Sequence, residues 1–545
     1  MKIALAQLNY HIGNFDNNLK TMLSAVEKAK AEKADLILFG ELAVCGYPPR
    51  DFLEFNDFIQ KSEQCIQELK EASESIAIVV GAPSVNPKIE GKDLFNSAYF
   101  LFEKEIKAVQ HKCLLPTYDI FDEYRYFEPA TQFDLVNFKG KKIALTICED
   151  IWNIGNENPL YTTCPLDEYI KEQPDFILNL SASPFAQKHT EERRDIVRAN
   201  SKRYGIPLFY TNHAGAQTEL IFDGGSLVTN AQGIIVDELP FFEEAIRYFE
   251  LDQLAECKED NLQEYDNMES IRQALVLGVS DYFKKLGLKK AILGLSGGID
   301  SALVTVLAAQ ALGAENVKAV LMPSQYSSDH SVTDSIELVN NLGVDHDIIK
   351  IKPIYDSFMG QLDPIFEDRP FNVAEENLQS RSRGVLLMAI SNKLGHILLN
   401  TSNKSEMAVG YGTLYGDMCG GLSVIGDLYK TEVFALCRHI NKNGEIIPEN
   451  IITKPPSAEL RPDQKDSDSL PDYDILDEIL YQYIEKRQGP KELIQQGFDE
   501  ALVKRILGLV NRNEFKRYQT APVLRVSSKA FGMGRRLPIV AKYLN

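Results

Sequence analysis

The sequence predicts an α/β protein built from two consecutive units: a layered α/β unit, then an open parallel α/β sheet. Three observations carry this. The chain has 545 residues, well beyond the roughly 150 residues of a typical domain. Its first half alternates short β-branched or leucine-rich runs with amphipathic stretches of helical spacing, the pattern of strands and helices in layers. Near residue 290 the pattern restarts with an apolar run, a Gly-Gly turn and an apolar helix. That is the opening of a βαβ series, in which ligands bind at the carboxyl ends of the strands.

In chain order, strands are expected at Lys2–Asn9, Asp35–Glu41, Ile76–Pro83, Lys141–Asp150, Asp175–Pro184 and Leu208–Gly215, each ending in small or polar residues. Runs this short and apolar suit strands buried within or between sheets. A helix is expected over Leu19–Glu32, with Asn17 as its cap. Residues 252–270, DQLAECKEDNLQEYDNMES, carry seven acids against one lysine and little periodicity. They read as a linker opening into a helix near Ser270, or as an acidic surface helix. The units are therefore bounded at 1–251 and 271–545. The second opens with KKAILGL, SGGID and SALVTVLAAQAL, and continues with strands at Val317–Pro323, Asp347–Ile351 and His396–Thr401. Lys465–Asp474 is polar and acidic and reads as a loop.

Composition narrows the functional classes. Apolar residues make up 44% and charged residues 25%, which is ordinary globular chemistry. Lys plus Arg is 58 and Asp plus Glu is 78, for a net charge of −20. A nucleic-acid coat or an anionic-membrane binder is disfavoured by that balance. No apolar run approaches the ~20 residues of a membrane helix, and the N-terminus reads as a first strand, not a leader. The eight cysteines are scattered without C-x-x-C pairs, and the eight histidines include no H-E-x-x-H. A disulfide scaffold and a zinc site are poorly supported, and a reduced cytoplasm is the natural reading.

Three strand ends carry polar residues that a core would not choose. LILFGE ends in Glu41, AVQHK in Lys112, and IALTICED carries Cys148 before Glu149 and Asp150. Brought together at one sheet edge, they would be complementary. A thiol attacks as its thiolate, so a base such as Glu41 must take the proton. Lys112 would then favour an anion developing on a substrate carbonyl. Spacing alone does not show convergence; a core cysteine and two residues leaving the core remain the bland alternative.

GELAVCGYPPRD at 40–51, HKCLLPTYDIFDEYRYF at 111–127 and ICEDIW at 147–152 resemble the nitrilase-like amidohydrolases, and more narrowly the glutaminase half of the glutamine-dependent NAD synthetases. The resemblance covers nearly all of residues 1–250. It implies an αββα sandwich with Glu41 as base, Lys112, and Cys148 as nucleophile. It also implies glutamine contacts at Tyr118, at Ser183, and at a basic residue in AQKHTEERR. That segment offers Lys188 and His189; ungapped counting favours His189, where the family commonly has lysine.

The second constellation is SGGIDS, Ser296 to Ser301. Two glycines let a backbone turn tightly against an anion, and free N–H groups at the next helix start bind phosphate. The Walker pattern G-x-x-x-x-G-K-[ST] is absent. Asp300 would repel phosphate unless Mg²⁺ lay between them. The string resembles the pyrophosphate loop of the ATP pyrophosphatases, whose sheet is of the adenine nucleotide alpha hydrolase kind. VAEENLQSRSRG at 373–384, the stretch 400–433 and the stretch 454–477 are similar to NAD synthetases throughout.

What this second resemblance implies is specific. Gly294, Leu295, Ser296, Gly297, Gly298, Ile299, Asp300, Ser301 and Thr401 would hold ATP. Asp300 and Glu406 would hold Mg²⁺. Asn377, Arg381, Glu406 and Lys516 would meet deamido-NAD, with Asp417 and Lys430 as further active-site residues. The whole chain would then release ammonia from glutamine, adenylate deamido-NAD with ATP, and amidate it to NAD, passing ammonia along a protected path. A homo-oligomer is also implied. An adenylating amidotransferase with another acceptor is the nearest alternative. A binding protein on a degenerate scaffold is the distant one, and the intact Glu41, Lys112, Cys148 set argues against it.

Overall fold

The computed structural model describes residues 1–156, 160–367, 369–462 and 464–543. The chain divides into two compact units, Met1–Tyr265 and Asp266–Asn545.

The first unit holds β1 Lys2–Gln7, β2 Leu36–Leu38, β3 Ala77–Val85, β4 Leu94–Phe102, β5 Glu105–His111, β6 Val136–Phe138, β7 Lys141–Ile147, β8 Phe176–Leu180, β9 Leu208–Thr211, β10 Ala214–Gln217, β11 Leu220–Asp223, β12 Leu227–Thr229, β13 Ile235–Glu238 and β14 Ala245–Glu250. They form two six-stranded sheets, β14-β1-β2-β3-β4-β5 and β13-β12-β9-β8-β7-β6, and the hairpin β10-β11. Both centres are parallel, β1 to β3 and β7 to β9, with antiparallel outer strands. Strand alternation sorts the side chains. Ile3, Leu5, Leu36 and Leu38 meet Ile143, Leu145, Phe176 and Leu178 between the sheets. Ala4, Ile37, Ile78 and Val80 face outward onto Leu19, Met22, Val26, Ile59 and Ile66 of the helices Phe15–Ala31 and Asn56–Ala72. On the other outer face Ala144, Ile177 and Tyr210 pack with Val197 of the helix His189–Tyr204. The result is the αββα sandwich.

The first helix starts earlier than its spacing suggested. Asn14, not Asn17, is the cap: its side chain accepts from the Asn17 N–H, and Phe15 turns inward as the first buried residue. The strand expected over Leu208–Gly215 divides into β9 in the sheet and β10 in the hairpin, and of the strands not expected, β4 carries a mixed run, LFNSAYFLF.

The acidic stretch is partly structured. Asp266 caps the helix Asn267–Lys285 by accepting from the Glu269 N–H, so this helix opens three residues before Ser270. Upstream, Asp260 accepts the Ile235 N–H at 2.8 Å and Asn261 donates its N–H to the Ile235 carbonyl at 2.9 Å.

The second unit holds β15 Ala291–Gly294, β16 Val317–Leu321, β17 Asp345–Ile348, β18 Ile397–Asn400 and β19 Leu422–Ser423. The sheet order is β17-β16-β15-β18-β19, parallel throughout. The strand after β15 lies on one side of it and β18 on the other, so the topological switch point falls at the carboxyl end of β15, where such sheets bind ligands. The helix Ile299–Leu312 leaves from that point and buries Ala302, Leu303, Val306 and Leu307. β17 lies two residues before the run expected from Asp347. It is a mostly exposed edge strand, so no apolar alternation marks its register; Lys318 of β16 ties it through Asp345 and Asp347 at 2.6 and 3.0 Å. Within the expected loop 465–474, Asp466–Asp468 makes one 3₁₀ turn and Tyr473 already opens a helix.

Candidate functional site

In the first unit, β2 runs out into Gly40 and Glu41. The backbone there passes unusually close to its neighbours. A Cβ on Gly40 would lie 2.5 Å from the His213 ring, and one on Gly81 would lie 2.3 Å from the Leu42 nitrogen. Leu42 itself takes φ 45°, a strained position for a branched residue. This crowding seats Glu41 in the interior, at 0% exposure. Its Oε1 accepts from Lys112 Nζ at 2.7 Å, and its Oε2 accepts the Ala182 N–H at 3.1 Å.

Lys112 follows β5 and is equally buried. It donates to a second carboxylate, Glu123, at 2.9 Å, and Tyr47 donates its hydroxyl to Glu123 at 2.8 Å. One ammonium thus serves two carboxylates. Burial works against the Lys112 charge, but Glu123 and Glu41 outweigh it and hold the pKa well above the ordinary lysine value. Glu123 is pushed up to about 7 by burial, with Lys112 opposing and Glu41 reinforcing.

Cys148 follows β7 and opens the one-turn segment Cys148–Ile151 at φ 43°. Asp150 makes that turn possible. Its Oδ2 accepts the Ile147 N–H at 3.0 Å, and its Oδ1 accepts the N–H groups of Cys113 and Leu114 at 3.0 and 2.8 Å. The same carboxylate therefore joins the turn carrying the thiol to the segment just after Lys112. Burial, then Glu41, push the Cys148 thiol well above its usual range, with Lys112 opposing. The resting thiol is neutral, so attack requires a base to remove its proton as the bond forms.

The structure brings Tyr118 to the neighbour of the thiol: its hydroxyl donates to Glu149 Oε1 at 2.9 Å, alongside that of Tyr161 at 2.7 Å. Ser183 is buried on the loop after β8, where its N–H donates to Asn212 Oδ1 at 2.8 Å. His189 opens the helix His189–Tyr204 and stacks flat on Trp152, centroids 5.2 Å apart at 3°. Lys188 beside it is exposed, at φ 67°. Glu123 and Asn96 were not singled out by sequence reasoning, and Glu149 and Asp150 were noted beside Cys148 without a role. Glu123 lies within the quoted motif, but nothing in its spacing reveals a shared lysine.

In the second unit a cavity of about 740 Å³ opens at the carboxyl ends of β15, β16 and β18. Residues 294–301 other than Gly297 line it, together with Asn377, Thr401, Glu406, Asp417, Lys430 and Lys516; Arg383 lines it too, whereas Arg381 does not. Gly297, at φ 81°, turns its back on the helix Asp329–Leu342, where a Cβ would fall 2.4 Å from the Ser331 carbonyl oxygen. The loop is locked by its own hydroxyls: the Ser296 N–H donates to Ser301 Oγ at 3.2 Å, and the Gly298 N–H to Ser296 Oγ at 3.2 Å.

Asp300 is held from two sides. Oδ1 accepts from Asn403 Nδ2 at 2.8 Å, and Oδ2 accepts from Lys430 Nζ, which also reaches Glu406 Oε1 at 3.4 Å. Asn403 is at the same time the cap of the helix Lys404–Val409, accepting the Glu406 N–H at 2.9 Å. Burial, and then Asp300, push Glu406 up to about 8 against the pull of Lys430. The remaining predicted residues brace the loop 410–417. Lys516 Nζ donates to the carbonyls of Gly410 and Gly412 at 2.7 and 2.8 Å, and Arg381 Nε to that of Leu414 at 3.2 Å. Asn377 Oδ1 accepts from the Thr413 hydroxyl at 2.7 Å, and Asp417 Oδ1 accepts the Thr413 N–H at 2.6 Å.

Comparison with known proteins follows this division. The carbon-nitrogen hydrolase family profile matches residues 2–259, and the NAD synthase profile matches residues 271–520. Over 99% of its length and 99% of the relative's, the chain is 49% identical to the glutamine-dependent NAD(+) synthetase of Synechocystis sp.. The chain belongs to the glutamine-dependent NAD(+) synthetase family. A solved structure of the family's enzyme from Acinetobacter baumannii, in complex with ADP, superposes with a TM-score of 0.78 at 39% identity, covering 99% of this chain and 98% of that one. The structure from Cytophaga hutchinsonii, at 21% identity and a TM-score of 0.86 over 99% and 98% of the two chains, shares the fold. Within the family, the sandwich of the first unit is the nitrilase-like half, and the parallel sheet of the second is the NAD synthase half. Among the described residues, no helix is long and apolar enough to cross a membrane.

Proposed function

We propose that the chain makes NAD from deamido-NAD, using glutamine as the nitrogen source and ATP as the activating co-substrate. One observation carries this reading. A single chain, alike end to end to a glutamine-dependent NAD(+) synthetase, buries a Glu41–Lys112 pair in one unit and lines a cavity with SGGIDS residues in the other.

In the first unit Glu41 takes the Cys148 proton while sulfur attacks the side-chain amide carbon of glutamine. The carbon–nitrogen bond breaks, and nitrogen leaves as ammonia with the proton Glu41 held. Water, deprotonated by Glu41, then hydrolyses the thioester to glutamate and restores the thiol. Lys112 holds Glu41 Oε1 in place through both steps. Tyr118, Ser183 and His189 are assigned to glutamine. Stacking on Trp152 supports His189, because it fixes the ring next to the turn that carries Cys148.

In the second unit the nicotinate carboxylate of deamido-NAD attacks the α-phosphorus of ATP. Pyrophosphate leaves, held by the Ser296–Ser301 backbone at the start of the helix Ile299–Leu312, and ammonia displaces AMP from the adenylate. Lys430 sits where it neutralises charge near Asp300 and Glu406. Two carboxylates facing one ammonium suit Mg²⁺, which takes one or two protein carboxylates and fills its sphere with phosphate and water. Bound there, Mg²⁺ would offset phosphate charge. Asn377, Arg381 and Lys516 are assigned to the dinucleotide; Arg381, bonded to Leu414 outside the cavity lining, reaches it only across the 410–417 loop. The eight free cysteines suit a reduced cytoplasm, and a homo-oligomer belongs to the same proposal.

The deciding measurement is NAD formation from deamido-NAD with glutamine or ammonium, with and without ATP. ATP should be required in both cases. If other carboxylates trigger AMP release and deamido-NAD does not, the assignment of substrate is wrong. A second test addresses the loop. Gly297→Ala forces a Cβ against the Ser331 carbonyl in a left-handed backbone, a cost of about 1–3 kcal/mol. The KM for ATP should rise by about tenfold, while glutamine hydrolysis without nucleotide stays unchanged.

A further inference from the structure

We infer that Asn96 is a positioning residue that gives the two oxygens of Glu41 different tasks. The inference rests on the glutamine-hydrolysing reading of the first unit. Asn96 lies in β4, where its carbonyl accepts the Lys112 N–H at 2.8 Å. Its side chain donates from Nδ2 to Glu41 Oε1 at 2.7 Å and points the same group at Glu123 Oε2, 3.5 Å away. Lys112 Nζ meets that same Oε1 at 2.7 Å. A carboxylate oxygen offers two in-plane lone pairs, and on Oε1 both are taken. Oε2 accepts the Ala182 N–H at 3.1 Å, which leaves it one. The lone pair that receives the thiol proton therefore belongs to Oε2. Without Asn96, Oε1 regains a vacancy, the proton has two destinations, and the carboxylate loses one of the three donors that fix its plane.

A second observation separates this from packing. Asn96 is 1% exposed, and its Oδ1 is a buried acceptor without a partner. An unpaired buried acceptor is costly. An asparagine kept for packing would bring both ends of its amide to partners; here the donor end is spent between two carboxylates and the acceptor end goes unmet. The reverse amide orientation would set oxygen against both carboxylates, so the assignment of Nδ2 is forced by the network. The charged and titratable groups facing this centre are Lys112 from the end of β5, Glu123 with Tyr47, and Cys148 with Glu149 from the turn after β7; His213 Nε2 meets the Glu41 carbonyl at 2.8 Å.

The test uses the full chain with Asn96→Leu, which keeps the shape and removes the donor, and with Asn96→Ser, which perturbs packing differently. For both, kcat for glutamine should fall by about 10- to 100-fold, the loss of one hydrogen bond to a charged group. The KM should stay within about twofold. The acid limb of kcat/KM against pH should move upward, because a carboxylate that loses a donor to its ionised form gains a proton more readily. The rate with ammonium should match that of the unaltered chain. Unchanged kcat and acid limb in both variants would overturn the inference, as would equal loss of glutamine- and ammonium-driven synthesis. If the unaltered chain makes no NAD from glutamine, it is the glutamine-hydrolysing reading that fails.

Discussion

Cys148→Ala should abolish NAD formation from glutamine, by at least about a thousandfold, and leave formation from ammonium intact. The substitution deletes one sulfur and little else. Cys148 holds φ 43°, a conformation alanine bears at the same cost, so no new backbone strain is introduced. The turn around it is kept by Asp150 and its three backbone donors, none of which involves the thiol. The buried pair Glu41–Lys112 also survives, with Glu123 and Asn96 still in contact. What disappears is the sulfur proposed to form the thioester. Glutamate release reports the loss directly, and NAD formation from ammonium reports whether the second unit still works. A folded variant that loses both activities to the same extent would refute the division of labour between units. One that still releases glutamate would refute the nucleophile.

How much of this was legible beforehand depended on how local each feature is. SGGIDS could be read because loop, glycines and helix start are contiguous, and the structure keeps them so. Glu41 and Cys148 could be picked out because each is a polar residue just past an apolar strand, and Lys112 because it follows the strand ending AVQH, oddities visible in a short window. Their wiring could not. Lys112 is shared with Glu123, Glu41 is bonded by Asn96, and Asp150 reaches back to Cys113 and Leu114; each contact joins different strands or turns, and no periodicity encodes it. Asn403 is hidden for the same reason: it reads as an ordinary helix cap, while its other end holds Asp300. Element boundaries slipped where burial gave no signal, at the exposed edge strand β17 and at the start of the first helix, where Asn14 and Asn17 are both plausible caps.

The two centres use like materials for opposite ends. Each places one lysine between two carboxylates: Lys112 between Glu41 and Glu123, and Lys430 between Asp300 and Glu406. In the first the lysine and both carboxyl groups are sealed from water, and in the proposed reaction one of them moves a proton. In the second the trio lines an open cavity, facing substrates that are themselves polyanions. An excess of carboxylate there is tolerable only if cations arrive with the substrate, which is how Mg²⁺ accompanies ATP.

That contrast sets the other large effect. Asp300→Asn should lower NAD formation by at least about a hundredfold, whether nitrogen comes from glutamine or from ammonium. The shape is preserved, and either end of the new amide can still meet Asn403, but Lys430 loses its closest anion and is left with Glu406 at 3.4 Å. The ammonium then faces incoming phosphate with one carboxylate partner fewer, and the cavity loses one of the two carboxylates proposed to hold Mg²⁺. Binding of ATP alone need not weaken, because deleting a negative charge near phosphate is favourable in isolation. The loss should therefore fall on kcat, with the KM for ATP changed little, and excess Mg²⁺ should restore part of the rate. Glutamine hydrolysis measured without nucleotide should equal that of the unaltered chain. A rise in KM for ATP with kcat intact would mean that Asp300 serves only to hold the loop, and the assignment of the Asp300–Lys430–Glu406 trio to the chemical step would be wrong.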